Sequence, residues 1–215
     1  IDYTKIDLNR FDDTYLEVIN HINIFKWLGL STGYVFHTRH AVDERSFELA
    51  KRPFIYRSFA PSIQLELHPW NIGPLFTFNY ERGIKGISKS DVGYEKFEFD
   101  AVYKFKLMRL RTLSFRAGGG FYTDKGSDIF VDYSNFRDNN LPENWNDDWS
   151  GQFQLLNDIW YNSSKYYIRT NFSYESPMLF LTWMPFLGKY IEMERLYAST
   201  LWVDRHHPYT EIGYG

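Results

Sequence analysis

The 215-residue chain contains no cysteine, which excludes disulfides and thiolate metal sites and is compatible with an oxidising periplasm or cell surface. It also lacks any run of about eighteen apolar residues. The longest apolar stretch, residues 178–187, is about half that length and holds Pro185, so a membrane-spanning helix is excluded. A spanning β-barrel is not, because its strands need apolar residues only at alternate positions. There is no excess of positive charge. With a net charge of −3 and no basic block, nothing argues for nucleic acid or a polyphosphate partner. No Gly-x-Ser-x-Gly elbow, no clear repeat and no linker that would split the chain into domains is present.

What the chain does have is aromatic residues. They make up 20% of it, as 17 Tyr, 19 Phe and 7 Trp, well above what most soluble domains need. Tyr and Trp favour a boundary between apolar and wet surroundings. Residues 94–122 show how these side chains are arranged. Phe97, Phe99, Ala101, Tyr103, Phe105 and Leu107 fall on one side of an extended chain, and Lys96, Glu98, Asp100, Val102, Lys104 and Lys106 on the other. After the short link 108–111 the pattern resumes, with Leu113, Phe115, Ala117, Gly119 and Phe121 against Ser114, Arg116, Gly118, Gly120 and Tyr122. This predicts a hairpin with one aromatic and one charged face. About eleven residues tilted near 45° rise roughly 25 Å, the height of the apolar band of an outer-membrane barrel.

In chain order, the pattern predicts short strands over residues 1–8 and 15–20 around a turn at 9–13, with a helix over 14–24 as the competing reading. Leu28, Leu30, Thr32, Tyr34 and Phe36 then alternate with Gly29, Ser31 and Gly33, and a long polar connection spans residues 38–57. Strands follow around residues 59–67 and 76–80, separated by a turn at 68–74; a loop at 82–92 leads to the hairpin. Residues 124–163 form a long, irregular outer segment containing a strand-like stretch at 129–133. Strands resume at 166–174, 196–202 and 209–215, and the apolar turn 176–188 is placed to dip into a bilayer interface. About ten strands result. Long and short connections alternate, as in an up-and-down barrel with one loop-rich and one tight rim.

Periodicity alone does not say which face points outward. A soluble sandwich or barrel hides its aromatic face. In a membrane, Lys or Arg facing lipid near the midplane would cost roughly 2–4 kcal/mol each, so the aromatic face must be outside. Aromatic content, strand length and unequal rims favour the membrane arrangement: Phe97, Phe99, Tyr103, Phe105, Leu113, Phe115 and Phe172 toward lipid, and Lys96, Glu98, Asp100, Lys104, Arg116, Arg169 and Glu175 toward the lumen.

Several segments carry a family resemblance. They are residues 149–156 (Trp-Ser-Gly-Gln-Phe-Gln-Leu-Leu), 160–167 (Trp-Tyr-Asn-Ser-Ser-Lys-Tyr-Tyr), 174–177 (Tyr-Glu-Ser-Pro), 192–197 and 208–215 (Pro-Tyr-Thr-Glu-Ile-Gly-Tyr-Gly). On these, residues 116–215 resemble a family of Bacteroidota outer-membrane barrels of unknown function, domain of unknown function 5686, whose members usually carry an N-terminal carboxypeptidase-regulatory-like domain. The resemblance implies an outer-membrane location and further parts at both ends, and it implies no activity. A fainter likeness is to sixteen-stranded barrels that insert or export outer-membrane proteins. It rests on a Gly-rich strand at 116–122, a long outer loop and a strand ending in Ser176-Pro177; the Arg-Gly-Phe or Arg-Gly-Tyr loop tip of those barrels is missing. That likeness would make this chain roughly the fifth to fourteenth strands.

Candidate sites are few. His37 could pair with Ser62 across strands in a hydrolase, and His37, His40 and Asp43, or His206, His207 and Glu211, offer metal-ligand types, although solvated loop histidines are common. Asp138, Asn139, Asn140, Glu143, Asn144, Asn146, Asp147 and Asp148 supply oxygen ligands that calcium accepts, without a defined ligand spacing. Trp145, Trp149 and Trp160 suit a loop core or sugar stacking. Asn162-Ser163-Ser164 matches a glycosylation acceptor by chance, and Gly118-Gly119-Gly120 suits a bent strand better than a phosphate loop. The sequence is therefore read as one partial, non-enzymatic barrel domain over residues 1–215, without cofactor, whose partners are outer-membrane lipid and an envelope protein partner or client. Its role is assembly, transport or surface display. A barrel enzyme acting on lipid or peptide and a soluble β protein binding an apolar ligand are the alternatives.

Overall fold

Where side chains alternate, the chain forms strands, and each strand pairs with the next. The computed structural model describes residues 11–70, 72–107, 110–125, 153, 155–156, 165–177, 179–184, 186, 192–204 and 207–215. Among these, nine strands form one antiparallel sheet in strict sequence order: β1 (Phe11–Phe25), β2 (Leu28–Ala41), β3 (Ile55–Leu67), β4 (Leu75–Gly83), β5 (Tyr94–Lys106), β6 (Thr112–Lys125), β7 (Tyr166–Ser176), β8 (Glu194–Val203) and β9 (Tyr209–Tyr214). The fold is thus all-β with the up-and-down strand order expected of a partial barrel. Among the described residues the sheet is open, with β1 and β9 at its two edges. A single short helix, α1 (Glu44–Leu49), lies between β2 and β3.

Two boundaries differ from the sequence reading. The strand expected at 15–20 is part of a longer strand β1, which takes in residues 11–13 of the expected turn, excludes the competing helix over 14–24, and pairs with β2 from Phe11↔Ala41 to Phe25↔Leu28; the strand expected at 1–8 lies outside the described residues. The turn formers Asp12 and Asp13 are held extended by this ladder, since tertiary pairing overrides weak local propensity. The polar connection expected over 38–57 shrinks to 42–54, because β2 and β3 stay paired as far as His40↔Ile55. Near this rim both faces of the strands are polar, so the period-two signal fades before the strands end. The connection is pinned by Phe47, buried with Ala41 and Tyr56. Asp43 caps α1, accepting from the Ser46 hydroxyl (2.5 Å) and N–H (3.2 Å), and these bonds hold its carboxyl below the ordinary carboxylate value.

Connections β1–β2, β3–β4, β5–β6 and β7–β8 all lie at one rim, and the other four at the opposite rim, as antiparallel order requires. The residues suggested as a strand at 129–133, and most of the outer segment 124–163, lie outside the described residues.

Candidate functional surface: the two faces of the sheet

Register places all seven residues expected toward the lumen on one face. One row runs Glu81↔Lys96↔Tyr122, the next Gln64↔Asn79↔Glu98↔Gly120↔Tyr167, and the next Glu66↔Thr77↔Asp100↔Gly118↔Arg169. Then come Val102↔Arg116↔Asn171↔Ser199↔Glu211 and, toward the turn rim, Thr112↔Glu175↔Arg195. Lys104 shares this face opposite Ser114 and is exposed near the turn rim.

Away from Lys104, the other six of these residues are paired on this face. Lys96 Nζ lies 3.1 Å from Glu81 and 3.2 Å from Glu98. The Tyr94 hydroxyl donates to Glu81, and that of Tyr167 to Glu98 at 2.7 Å. Asp100 Oδ2 accepts from Arg116 Nε at 2.7 Å and from Arg169 Nη2 at 2.8 Å, while Arg195 Nε donates to Glu175 at 2.8 Å. Carboxylates and cations in this network balance, so it carries no strong excess of one sign.

The glycines make these contacts geometrically possible. A Cβ on Gly120 would lie 2.6 Å from the Tyr167 ring, and one on Gly118 would collide with Asp100. Tyr167 therefore lies flat across β6 to reach Glu98 on β5, and Arg169 crosses the same strand to Asp100. Tyr94 over Gly83 and Tyr197 over Gly213 repeat the arrangement. The Gly118-Gly119-Gly120 run is part of strand β6, as expected.

The opposite face carries Phe97, Phe99, Tyr103, Phe105, Leu113, Phe115 and Phe172, in rows such as Phe78↔Phe99↔Gly119↔Ile168↔Trp202. Aromatic rings pack along it: Phe78 on Phe99 at 5.0 Å, Tyr80 on Phe97 at 4.8 Å and Phe97 stacked on Phe121 at 5.2 Å. An open hollow of about 560 Å³ on this face extends from Ile63 on β3 to Ile168 on β7, with Gly119 among its lining residues. Burial is inverted relative to a soluble protein. Phe99, Phe115, Ile168 and Trp202 expose 39%, 45%, 55% and 55% of their surface, whereas Asn171, Ser173 and Ser199 on the polar face expose 3% each. Tyr103 and Leu113 are partly buried.

One region of the polar face is apolar. Leu201 and Val203 on β8 face inward beside Tyr167, and Phe153 and Leu156 of the outer segment bury against them. Glu211, a metal candidate in the sequence, anchors this segment instead: it accepts from the Leu155 N–H at 3.1 Å and the Tyr209 hydroxyl at 2.9 Å. His207 is exposed, and Asp138, Asp147 and Asp148 lie outside the described residues, as do His206, Trp145, Trp149, Trp160 and Asn162-Ser163-Ser164. Among the described residues no three His, Asp or Glu side chains converge as a metal site. His37 does not pair with Ser62: it stands opposite Ser58, and Ser62 opposite Gly33. Its Nδ1 meets Asp13 at 2.9 Å, but Ser58 exposes only 1% of its surface and offers no open nucleophile. His40 bridges loosely to Glu44 (3.6 Å), and Asp43 is occupied as the helix cap.

A family model described as "Family of unknown function (DUF5686) C-terminal domain" matches residues 68–215. The chain belongs to this family. The matched span runs from the β3–β4 turn through β9, so it contains the charged network, the aromatic face and the inward-packed residues 153–156. No curated protein matches the chain. Membership in DUF5686 supplies no activity, and the functional reading rests on the two faces themselves.

Proposed function

We propose that this sheet is wall of a β-barrel in the outer membrane of a Gram-negative bacterium, with its aromatic face in hydrocarbon and its charged face toward the lumen, serving envelope assembly, transport or surface display rather than catalysis. The observation that carries this reading is the inverted burial: large aromatic side chains stand open on one face while serines, asparagine and ion pairs shield one another on the other. Water would penalise such a surface at roughly 25 cal/mol per Å² of exposed apolar area; lipid removes that penalty. Strand length agrees. A spanning strand needs about 9–11 residues at 45° tilt, and β5, β6 and β7 have 13, 14 and 11. Phe153 and Leu156 then occupy part of the lumen, which favours a partly closed barrel over a wide pore.

Cell fractionation tests the location. The full-length protein is expected in outer-membrane fractions, resistant to alkaline carbonate and released by detergent. Recovery as a detergent-independent soluble protein would favour the apolar-ligand binder instead.

A further inference from the structure

Glu194 breaks the pattern of its strand. It is in phase with Leu196, Ala198 and Trp202, and so points to the aromatic side, opposite Ser176. A bare carboxylate there would face hydrocarbon. Yet Glu194 exposes only 1% of its surface and Ser176 none. The turn between β7 and β8 folds over them: Leu179 and Leu181 N–H each donate to Glu194 at 2.6 Å, Phe180 N–H at 3.0 Å, and the Tyr214 hydroxyl donates as well. The Phe180 ring meets Tyr214 edge-on at 5.9 Å.

This clamp holds an apolar surface outward. Residues 176–187 include no charged side chain, and Trp183 and Phe186 expose 74% and 86% of their surface, with Phe180 and Met184 also exposed. The row just above, Leu113↔Tyr174↔Leu196↔Tyr214, continues directly into the aromatic face. Covering Ser176 and Glu194 therefore extends that face without a polar break down to the turn rim, where Trp27, Trp70, Ile72 and Leu110 are exposed too. A Trp- and Phe-bearing segment, hydrogen-bonded at its base and continuous with an apolar band, is the form of an element seated at the headgroup boundary of a bilayer.

We propose that Phe180, Trp183, Met184 and Phe186 form a lipid-binding collar: Glu194 fixes the backbone of residues 179–181 against the outward face, and these four side chains insert into the leaflet on the turn-rim side. This rests on the barrel reading, and the test separates the two. These 215 residues hold no cysteine, so Trp183→Cys, Phe186→Cys and Phe115→Cys can each carry a single fluorescent label in the full-length protein with every cysteine outside this span replaced by serine, reconstituted in phosphatidylcholine vesicles. Labels at 183 and 186 are expected to be quenched more by nitroxide near the headgroup than by nitroxide deep in the acyl chain, and the label at 115 in the reverse order. Adding Glu194→Ala should free the turn, with a several-fold rise in quenching of the 183 label by aqueous iodide. Lipid quenching at 115 with none at 183 and 186 would overturn the collar alone, whether those labels meet iodide or are shielded by a protein partner. Lack of lipid quenching at all three would overturn the barrel reading with it.

Discussion

Gly120 shows how a single missing side chain organises the charged face. A Cβ there would sit 2.6 Å from the Tyr167 ring, so Gly120→Ala must push the ring away and lose its 2.7 Å bond to Glu98. Overpacking of this kind costs typically about 1–3 kcal/mol. We expect a loss of that size in urea unfolding of detergent-folded protein, and a smaller loss for Gly120→Ala when Tyr167→Ala is already present, because the clash is then gone. Additive losses would mean that the glycine serves some other purpose. The sequence showed the glycine run and its strand setting. It did not show which ring lies over which glycine, since that depends on a register between strands far apart in sequence, here Gly120↔Tyr167. Glu194 was missed, because the sequence reading began its strand at Leu196; a charge in phase with Leu196 and Ala198 was the available signal, and it calls for a cap that no local pattern names.

Elements differ in how plainly they announce themselves. Strands β5, β6 and β7 were clear because one face is aromatic and the other charged along most of their length. Strand β1 and the far end of β2 were not, because Asp13, His37 and Arg39 line one face there while Thr14, Thr38 and His40 line the other. Helix α1 has six residues, too few for a helical period to stand out. Its cap has a pH signature. Hydrogen bonds from the Ser46 hydroxyl and N–H lower the Asp43 carboxyl below its ordinary value, so capping is fully present above the unfolded carboxylate range and is lost as pH falls through the lower folded value. Amide exchange at Ser46 should therefore keep its protection at mildly acidic pH and lose it only in stronger acid. In Asp43→Asn that acid step should disappear; a step that persists would assign the titration to another group.

At the scale of the whole molecule, an apolar patch on the polar face and an inward-folded piece of the outer segment meet. Phe153 and Leu156 cover Leu201 and Val203, and Glu211 ties the backbone at Leu155. Replacing Leu156 with Asp puts a charge into that contact and should release the segment. We predict higher single-channel conductance in planar bilayers for Leu156→Asp than for the parent protein; equal conductance would mean that the segment does not limit passage.

The central claim, that the aromatic face meets hydrocarbon, is tested most directly by a spin-label scan of residues 96–105 on β5 in reconstituted vesicles. Labels at Phe97, Phe99, Ala101, Tyr103 and Phe105 should be relaxed preferentially by oxygen, and those at Lys96, Glu98, Asp100, Val102 and Lys104 preferentially by a water-soluble nickel complex, with a period of two. The opposite phase, or nickel access at every position, would contradict the account.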